Sequence, residues 1–347
     1  MAKARLLFAP FDMDISSAVH SSVMKGKERK YLKDLKEGDE VDQSVSVKQK
    51  RPPRPYAGGR FFELRVSDRS AEMNLKFWGS GDKGPLDQVY ASFGVGDVVK
   101  VRGNVGRYRD ALEISVSPDK GGRLEKLAMS EVVREDFVAR SEREPEQLMA
   151  ALNLHIRGLK DEGLRALLTV FFSDEEFVER FRNSPGSMWM HCNWIGGLAE
   201  HTLKVVEMCE FLTKEYPKLD HDLLIAGALL HDVGKVSEYV VTTNIDVTPD
   251  GMLRGHIAIG AEMVSRACDK VPAMSENLRL KVVHMVLSSH GELEFGSPKK
   301  PQFPEAYALN FADDLDAKLE AFIRIKEDAR TEDPWTYDKR FGQVYLR

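Results

Sequence analysis

The chain has 347 residues, 42% of them hydrophobic and 30% charged, with a formal net charge of -5. That length suits two domains better than one, and the composition is that of a folded globular protein, which excludes extensive disorder away from the ends. No apolar run approaches the ~18 residues needed to cross a bilayer, and Pro10, Asp12 and Asp14 break the apolar stretch near the start, so membrane insertion and secretion are excluded as expectations.

Residues 1–29 read as an N-terminal extension without a clear element. Residues 30–128 read as strands. Phe62, Leu64 and Val66 alternate, as do Met73, Leu75 and Phe77, and each run ends in a turn signal. The turns are Lys36-Glu37-Gly38-Asp39, Asp68-Arg69-Ser70 and Gly94-Val95-Gly96-Asp97. About five strands in this span fit a small closed barrel. The segment Lys48 to Arg54, basic and proline-rich, is expected to form the loop between the first two strands. This half carries 19 Lys and Arg against 15 Asp and Glu, so the remainder is distinctly acidic. Such a division suggests one module that meets a polyanion and one that collects cations.

Residues 129–147, crowded with charge and including Pro145, read as a linker. From 148 to 347 apolar residues recur at helical spacing in Leu148–Leu168, Leu198–Leu212, Leu223–Leu230, Ile257–Ala267, Leu278–Leu287 and Ala306–Ile325, which predicts an essentially all-helical second domain. The three cysteines, Cys192, Cys209 and Cys268, show no paired spacing and point to a reducing, cytoplasmic compartment.

The helical half places His201, the pair His231-Asp232, His256, His290 and Asp313 at helix ends or on inward faces. Any one of them alone is ordinarily a core or capping residue, but the set stands on separate predicted helices. Imidazole with carboxylate and no thiolate favours a first-row divalent ion over calcium or structural zinc; Mn²⁺ is preferred, with Co²⁺, Fe²⁺ and Mg²⁺ as alternatives. The apolar helix ending in His231-Asp232 just before Gly234 is the strongest local signal. Adjacent residues on a helix point ~100° apart, so both side chains reach one ion only beyond the helix end.

The order His, His-Asp, His, His, Asp resembles the HD superfamily of metal-dependent phosphohydrolases. More closely, Gly196–Thr202, His231–Lys235 and Ala312–Lys318 are similar to the YhaM-type 3′-5′ exoribonucleases. Tyr31–Asp39 and Gly96–Gly103 resemble the N-terminal OB-fold of the same family, whereas residues 1–29 have no counterpart. Where that family tends to carry a His-His pair, this chain has Ser289-His290. The resemblance implies an OB-fold barrel followed by an all-helical HD domain. It further implies that His201, His231, Asp232 and Asp313 hold one ion, that His256 and His290 complete a second, and that Asp232 bridges the two.

Two such ions would activate water for in-line attack on a phosphodiester. Asp232 and Lys235 are then the expected catalytic residues, Lys235 neutralising charge on phosphate. His191, flanked by Trp189 and Trp194, is a third candidate, as donor to the phosphate or the leaving oxygen. His155 and His221 read as surface residues and His20 as part of the extension.

On the barrel, Phe61, Arg65, Lys76 and Trp78 fall on the outward face of their strands, and Arg107-Tyr108-Arg109 adds two cations around an aromatic. Such surfaces stack bases and neutralise phosphates of single-stranded nucleic acid. The expected partner is single-stranded RNA, with DNA as an alternative, and a homo-oligomer is possible. The leading function is a single-strand 3′-5′ exoribonuclease. The alternatives are a phosphohydrolase of free, cyclic or signalling nucleotides, and a nucleic-acid-binding factor with a structural metal.

Overall fold

The computed structural model describes residues 30–79, 83–109, 111–188, 192–329 and 331–347. Its first half is one six-stranded sheet curled into a barrel: β1 (Glu40–Tyr56), β2 (Gly59–Ser67), β3 (Glu72–Gly79), β4 (Val98–Tyr108), β5 (Ala111–Val116) and β6 (Arg123–Lys126), with helix α1 (Lys83–Ala91) between β3 and β4. The order is β1-β2-β3-β5-β4-β6, and β1 also pairs with β4, which closes the barrel. Alternation dictates this arrangement. Phe62, Leu64, Val66, Leu75 and Phe77 point inward and are buried with Val45, Val99, Val101 and Ile114.

The barrel differs from expectation in three ways. It has a sixth strand and a helix, and Lys48 to Arg54 is not a loop. β1 runs on to Tyr56 as the partner of β2, with its register slipping between Arg51 and Arg54. Pro52 and Pro53 sit in that slip, where no ladder pairing is required of them. The lysines before it are anchored: Lys48 donates to Asn244 Oδ1, and Lys50 donates to the Tyr90 carbonyl and lies over the Tyr90 ring.

The second half contains α2 (Pro145–Gly158), α3 (Glu162–Phe172), α4 (Glu175–Asn183), α5 (Gly197–Glu215), α6 (His221–Leu230), α7 (Lys235–Glu238), α8 (Pro249–Cys268), α9 (Glu276–Leu287) and α10 (Pro304–Asp328). From Leu223 to Leu230 α6 is apolar on every side and buried, as a helix surrounded by others must be. It packs against α5, α10, α3 and α9, so the chain leaving its C-terminus emerges in the middle of the domain.

The helix expected over Leu148–Leu168 is two helices, because Asp161 caps the second by accepting from Leu164 N at 2.8 Å. The domain is also not purely helical. Two short hairpins interrupt it: β7 (Tyr239–Val241) with β8 (Ile245–Val247), and β9 (Trp335–Asp338) with β10 (Gly342–Tyr345). Among the described residues no helix is long and apolar enough to cross a membrane.

The two halves are joined by more than the linker. Val98 of β4, Phe137 and Val138 of the linker and Ile195 form a separate buried cluster, with Val241 and Ile245 of the β7–β8 hairpin packed against it. Ser46 Oγ lies 3.2 Å from Thr243 Oγ1 beside that cluster. Burying side chains of this size contributes roughly 1.5–3 kcal/mol each, which fixes the barrel against the helical domain.

Asp222, in the first turn of α6, accepts from the backbone N–H groups of Lys160 and Asp161, tying α6 to the start of α3. Burial raises its pKa, but the bond from His221 and the two backbone donors outweigh that, leaving the carboxyl below its usual range. Asp222→Ala leaves both donors unmet and should cost about 1–3 kcal/mol in urea unfolding at neutral pH. Because the folded-state pKa is depressed, the gap between wild type and variant should hold down to about pH 4 and close as pH falls further.

Candidate metal centre

The end of α6 supplies the first residues of the site. His231 caps the helix with helical angles, its N–H still bonded to the Gly227 carbonyl, and Asp232 follows in a tighter turn in which Val233 N bonds the Leu230 carbonyl and Lys235 N the Asp232 carbonyl. The close approach of Gly234 makes that turn feasible. A Cβ there would lie 2.0 Å from the His256 carbonyl oxygen and 2.6 Å from Gly260 N, so only glycine lets α7 press against α8. Gly234 itself has ordinary helical angles, φ -65° and ψ -21°, so close approach rather than helix termination requires it. α8 in turn is broken at Gly255, whose φ of 70° and ψ of 156° suit glycine alone, and His256 opens the helix beyond the break. His201 lies on α5, Asp313 on α10, and His290 in the turn after α9.

These six side chains converge. His201 Nε2 is 3.3 Å from His231 Nε2, 3.1 Å from Asp313 Oδ1 and 3.6 Å from Asp232 Oδ2. His231 Nε2 is 3.4 Å from the same Asp232 oxygen. The other oxygen faces elsewhere: Oδ1 of Asp232 is 3.6 Å from His256 Nε2, which is 3.4 Å from His290 Nε2. One carboxylate therefore touches two groups, His201–His231–Asp232 and Asp232–His256–His290, each with its ligand atoms within 4.8 Å of one another.

All four imidazoles are anchored through Nδ1. His201 Nδ1 meets Asp316 Oδ2 at 2.7 Å, and His231 Nδ1 meets the Ala228 carbonyl at 2.8 Å. His256 Nδ1 meets Glu238 Oε2 at 2.9 Å, and His290 Nδ1 meets the Phe295 carbonyl at 2.9 Å. A ring that donates from Nδ1 can offer its Nε2 lone pair to a metal, and here the four Nε2 atoms face one another and two carboxylates.

Such an arrangement suits a cation. Both oxygens of Asp232 are buried and accept no hydrogen bond, although Lys235 Nζ stands 2.6 Å from Oδ2. Burial would raise the Asp232 pKa, but Lys235 and His231 hold it well below the usual carboxylate range. Burial would also neutralise His201, yet Asp313 and Asp316 outweigh it and push its pKa up to about 9. The pocket thus draws a proton onto a buried imidazole, the place a divalent ion would take. The donor set, its spacing and the two orphaned oxygens fit first-row divalent metal.

Lys235, expected to act on phosphate, is itself buried against Asp232, which raises its pKa despite desolvation. Ser289 is buried and donates to the Val286 carbonyl rather than facing the site. His191 and Trp189 lie outside the described residues. Trp194 donates to Glu200 Oε2 at 3.1 Å, which spends its polar edge on the fold. His155 and His221 are half-buried rather than free at the surface, sharing Glu210 at 3.1 and 3.2 Å.

Glu238 and Asp316, which orient His256 and His201, escape a reading of the sequence because each looks like an ordinary charge on a helix. Asp316→Asn should raise the metal concentration needed for half-maximal activity by about 10- to 100-fold, the usual effect of losing the partner of a metal-bound histidine. An unchanged metal titration would remove Asp316 from that role.

On the barrel, Phe61 and Trp78 pack at a 31° tilt with centroids 5.1 Å apart, and Tyr56, unremarked in the sequence, packs edge-on against Trp78 at 4.9 Å. Lys76 lies 3.8 Å from the Tyr108 ring centroid. The expected cations are largely neutralised already. Lys76 pairs with Glu113 at 3.0 Å, Arg65 with Glu72 at 3.0 Å and Arg107 with Glu37 at 3.1 Å. Arg109 sits with φ 55° and its guanidinium 5.4 Å from the Tyr108 ring centroid.

Comparison with known proteins agrees with this geometry. Residues 198–318 match the family model of the HD domain, and residues 44–119 that of an OB-fold nucleic acid binding domain. The 3′-5′ exoribonuclease YhaM of Bacillus velezensis is 29% identical over 308 residues, covering 87% of this chain and 94% of that protein. YhaM of Bacillus subtilis is 29% identical over 304 residues, covering 87% and 92%. YhaM of a Geobacillus species is 30% identical over 296 residues, covering 84% and 87%.

Proposed function

Because the chain belongs to the YhaM family of 3′-5′ exoribonucleases, we propose that it shortens single-stranded RNA from the 3′ end at the His and Asp centre, with two Mn²⁺ ions as its preferred complement. The observation that carries this reading is Asp232, a buried carboxylate whose two oxygens face two separate histidine groups without accepting a hydrogen bond. His201, His231, Asp232 and Asp313 would hold one ion, and Asp232, His256 and His290 the other. When bound, such ions supply Lewis acidity, lowering the pKa of water and neutralising phosphoryl oxygens.

The chain's own residues supply position and charge. Asp316 and Glu238 hold the rings of His201 and His256, and carbonyls hold those of His231 and His290, so the four Nε2 atoms need little reorganisation on binding. Lys235, kept charged by Asp232, contributes a fixed positive field at the centre, suited to the developing charge of a displaced phosphate oxygen. Phe61, Trp78 and Tyr56 offer rings on which bases stack, worth roughly 1–3 kcal/mol per base.

End-labelled RNA, single-stranded DNA and a panel of nucleotides incubated with Mn²⁺ test the reading. A ladder receding from the 3′ end of RNA is expected. Hydrolysis of mononucleotides with RNA untouched would replace the exonuclease by a nucleotide phosphohydrolase. Tight RNA binding without turnover in any metal would leave a binding factor.

A further inference from the structure

Three cations of the barrel that form no ion pair lie away from the Phe61, Trp78 and Tyr56 rings. On the outer face of β1, β4 and β6 runs a groove of about 1310 Å³, lined by Lys100, Arg102, Asn104, Ser115, Lys120 and Arg123 among others. Of the lining cations, Lys30 pairs with Asp39 and Lys100 with Asp42, at 3.1 and 2.9 Å. The side chains of Arg102, Lys120 and Arg123 have no hydrogen-bonding or ionic partner among the described residues, and all three residues are exposed.

Arg102 and Arg123 are moreover directly opposite each other across β4 and β6. Like charges placed so are destabilising unless an anion comes between them. Carboxylates are present too, Glu40 at one end of the groove, Glu125 opposite Lys100, and Asp42 opposite Arg102 but paired with Lys100 at 2.9 Å, so the cations of the groove left without an ion pair are the two arginines and Lys120.

Register gives the groove a direction. Along β1 and β4 the outward pairs are Glu40 with Asn104, Asp42 with Arg102, Ser44 with Lys100 and Ser46 with Val98. The last pair is where the barrel docks on the helical domain, through Thr243 and the Val98 cluster. The distance from Asn104 to Val98 is about 20 Å at ~3.3 Å per residue. At the other side the groove meets the aromatic face, because Ser115 both lines it and accepts from Trp78 Nε1 at 2.9 Å.

We propose that this groove is a phosphate track, in which Arg102, Arg123 and Lys120 carry the sugar-phosphate backbone of single-stranded RNA from the aromatic face toward the helical domain. The inference rests on the exoribonuclease reading, since it names a path for that substrate. It adds a second surface to the stacking face, and it assigns the electrostatic part of binding to residues that touch neither the rings nor the metal centre.

The test uses the full-length, Mn²⁺-loaded protein and a labelled single-stranded RNA whose 3′-terminal linkages are phosphorothioates that resist shortening. Dissociation constants are measured across a salt series. Each lost phosphate contact lowers the slope of log affinity against log salt by about 0.7 for a single strand, so Arg102→Gln with Arg123→Gln should lower it by about 1.4, and adding Lys120→Gln by about 0.7 more. Hydrolysis of bis(p-nitrophenyl) phosphate, too small to span the groove, should stay at the wild-type rate. The charge-conserving pair Arg102→Lys with Arg123→Lys should keep the wild-type slope.

An unchanged slope in the glutamine variants overturns the track while RNA shortening by wild type leaves the function standing. A lysine pair that loses as much as the glutamine pair shows that the arginines serve the fold, and also overturns it. Failure of wild type to bind or shorten RNA removes the exoribonuclease reading itself, and the track with it.

Discussion

Asp232→Ala should lower the rate of RNA shortening by at least ~10³-fold, about 4 kcal/mol of transition-state stabilisation, while RNA affinity stays within a few-fold of wild type. Asp232 contributes one oxygen to each of two ligand groups, so its loss disables both, whereas removing any one histidine disables a single group. Affinity should survive because stacking and phosphate contacts reside on the barrel, away from the end of α6. Single-turnover kinetics and anisotropy binding on the same preparation measure the two quantities. Parallel loss of turnover and affinity would refute this division of labour between the domains.

Stripping the metal should be as severe and should also be visible in stability. Dialysis against a chelator is expected to abolish RNA shortening, and Mn²⁺ or Co²⁺ to restore it; Ca²⁺ should not, because the donors are mostly imidazole. The melting temperature should fall on stripping and recover on reloading. Binding to the folded chain alone stabilises it by about 2.7 kcal/mol per site at a ligand concentration of 100 times Kd. The stripped site leaves two carboxylates buried against one lysine and a protonated His201, whose compensation is incomplete for Asp232. A stripped protein that melts at the loaded temperature would mean that the ions contribute no binding energy to the fold.

Much of the candidate site was legible in the sequence because side chains able to hold a metal are few in kind, and the fold brings the six that were singled out into one cluster. His231-Asp232 after an unbroken apolar helix is such a signal, since polar side chains at a buried helix end have no solvent and need partners. The barrel was legible through strict alternation in Phe62, Leu64 and Val66, where one residue of slippage would turn the core outward.

What stayed hidden was hidden for physical reasons. Glu238 and Asp316 are ordinary acids on helices until the fold brings each within 3 Å of an imidazole. Lys76, Arg65 and Arg107 read as free cations, but their neutralising partners Glu113, Glu72 and Glu37 are chosen by sheet pairing and tertiary packing, which a linear pattern does not contain. The prolines of Lys48–Arg54 look like a loop because proline opposes a ladder, and only the register slip reveals that the strand bypasses them. The hairpins of the helical half have strands of three or four residues, too short for any periodicity to register.

The buried contact of Val98 with Phe137, Val138 and Ile195 has one further effect. With the two modules locked together, the stretch of substrate between the proposed holding surface and the proposed cutting centre would have a set length, as on a jig. Once shortening has consumed that stretch the strand slips its rear hold, so trimming should change from a sustained run to scattered single events, and oligonucleotides of one characteristic size should pile up.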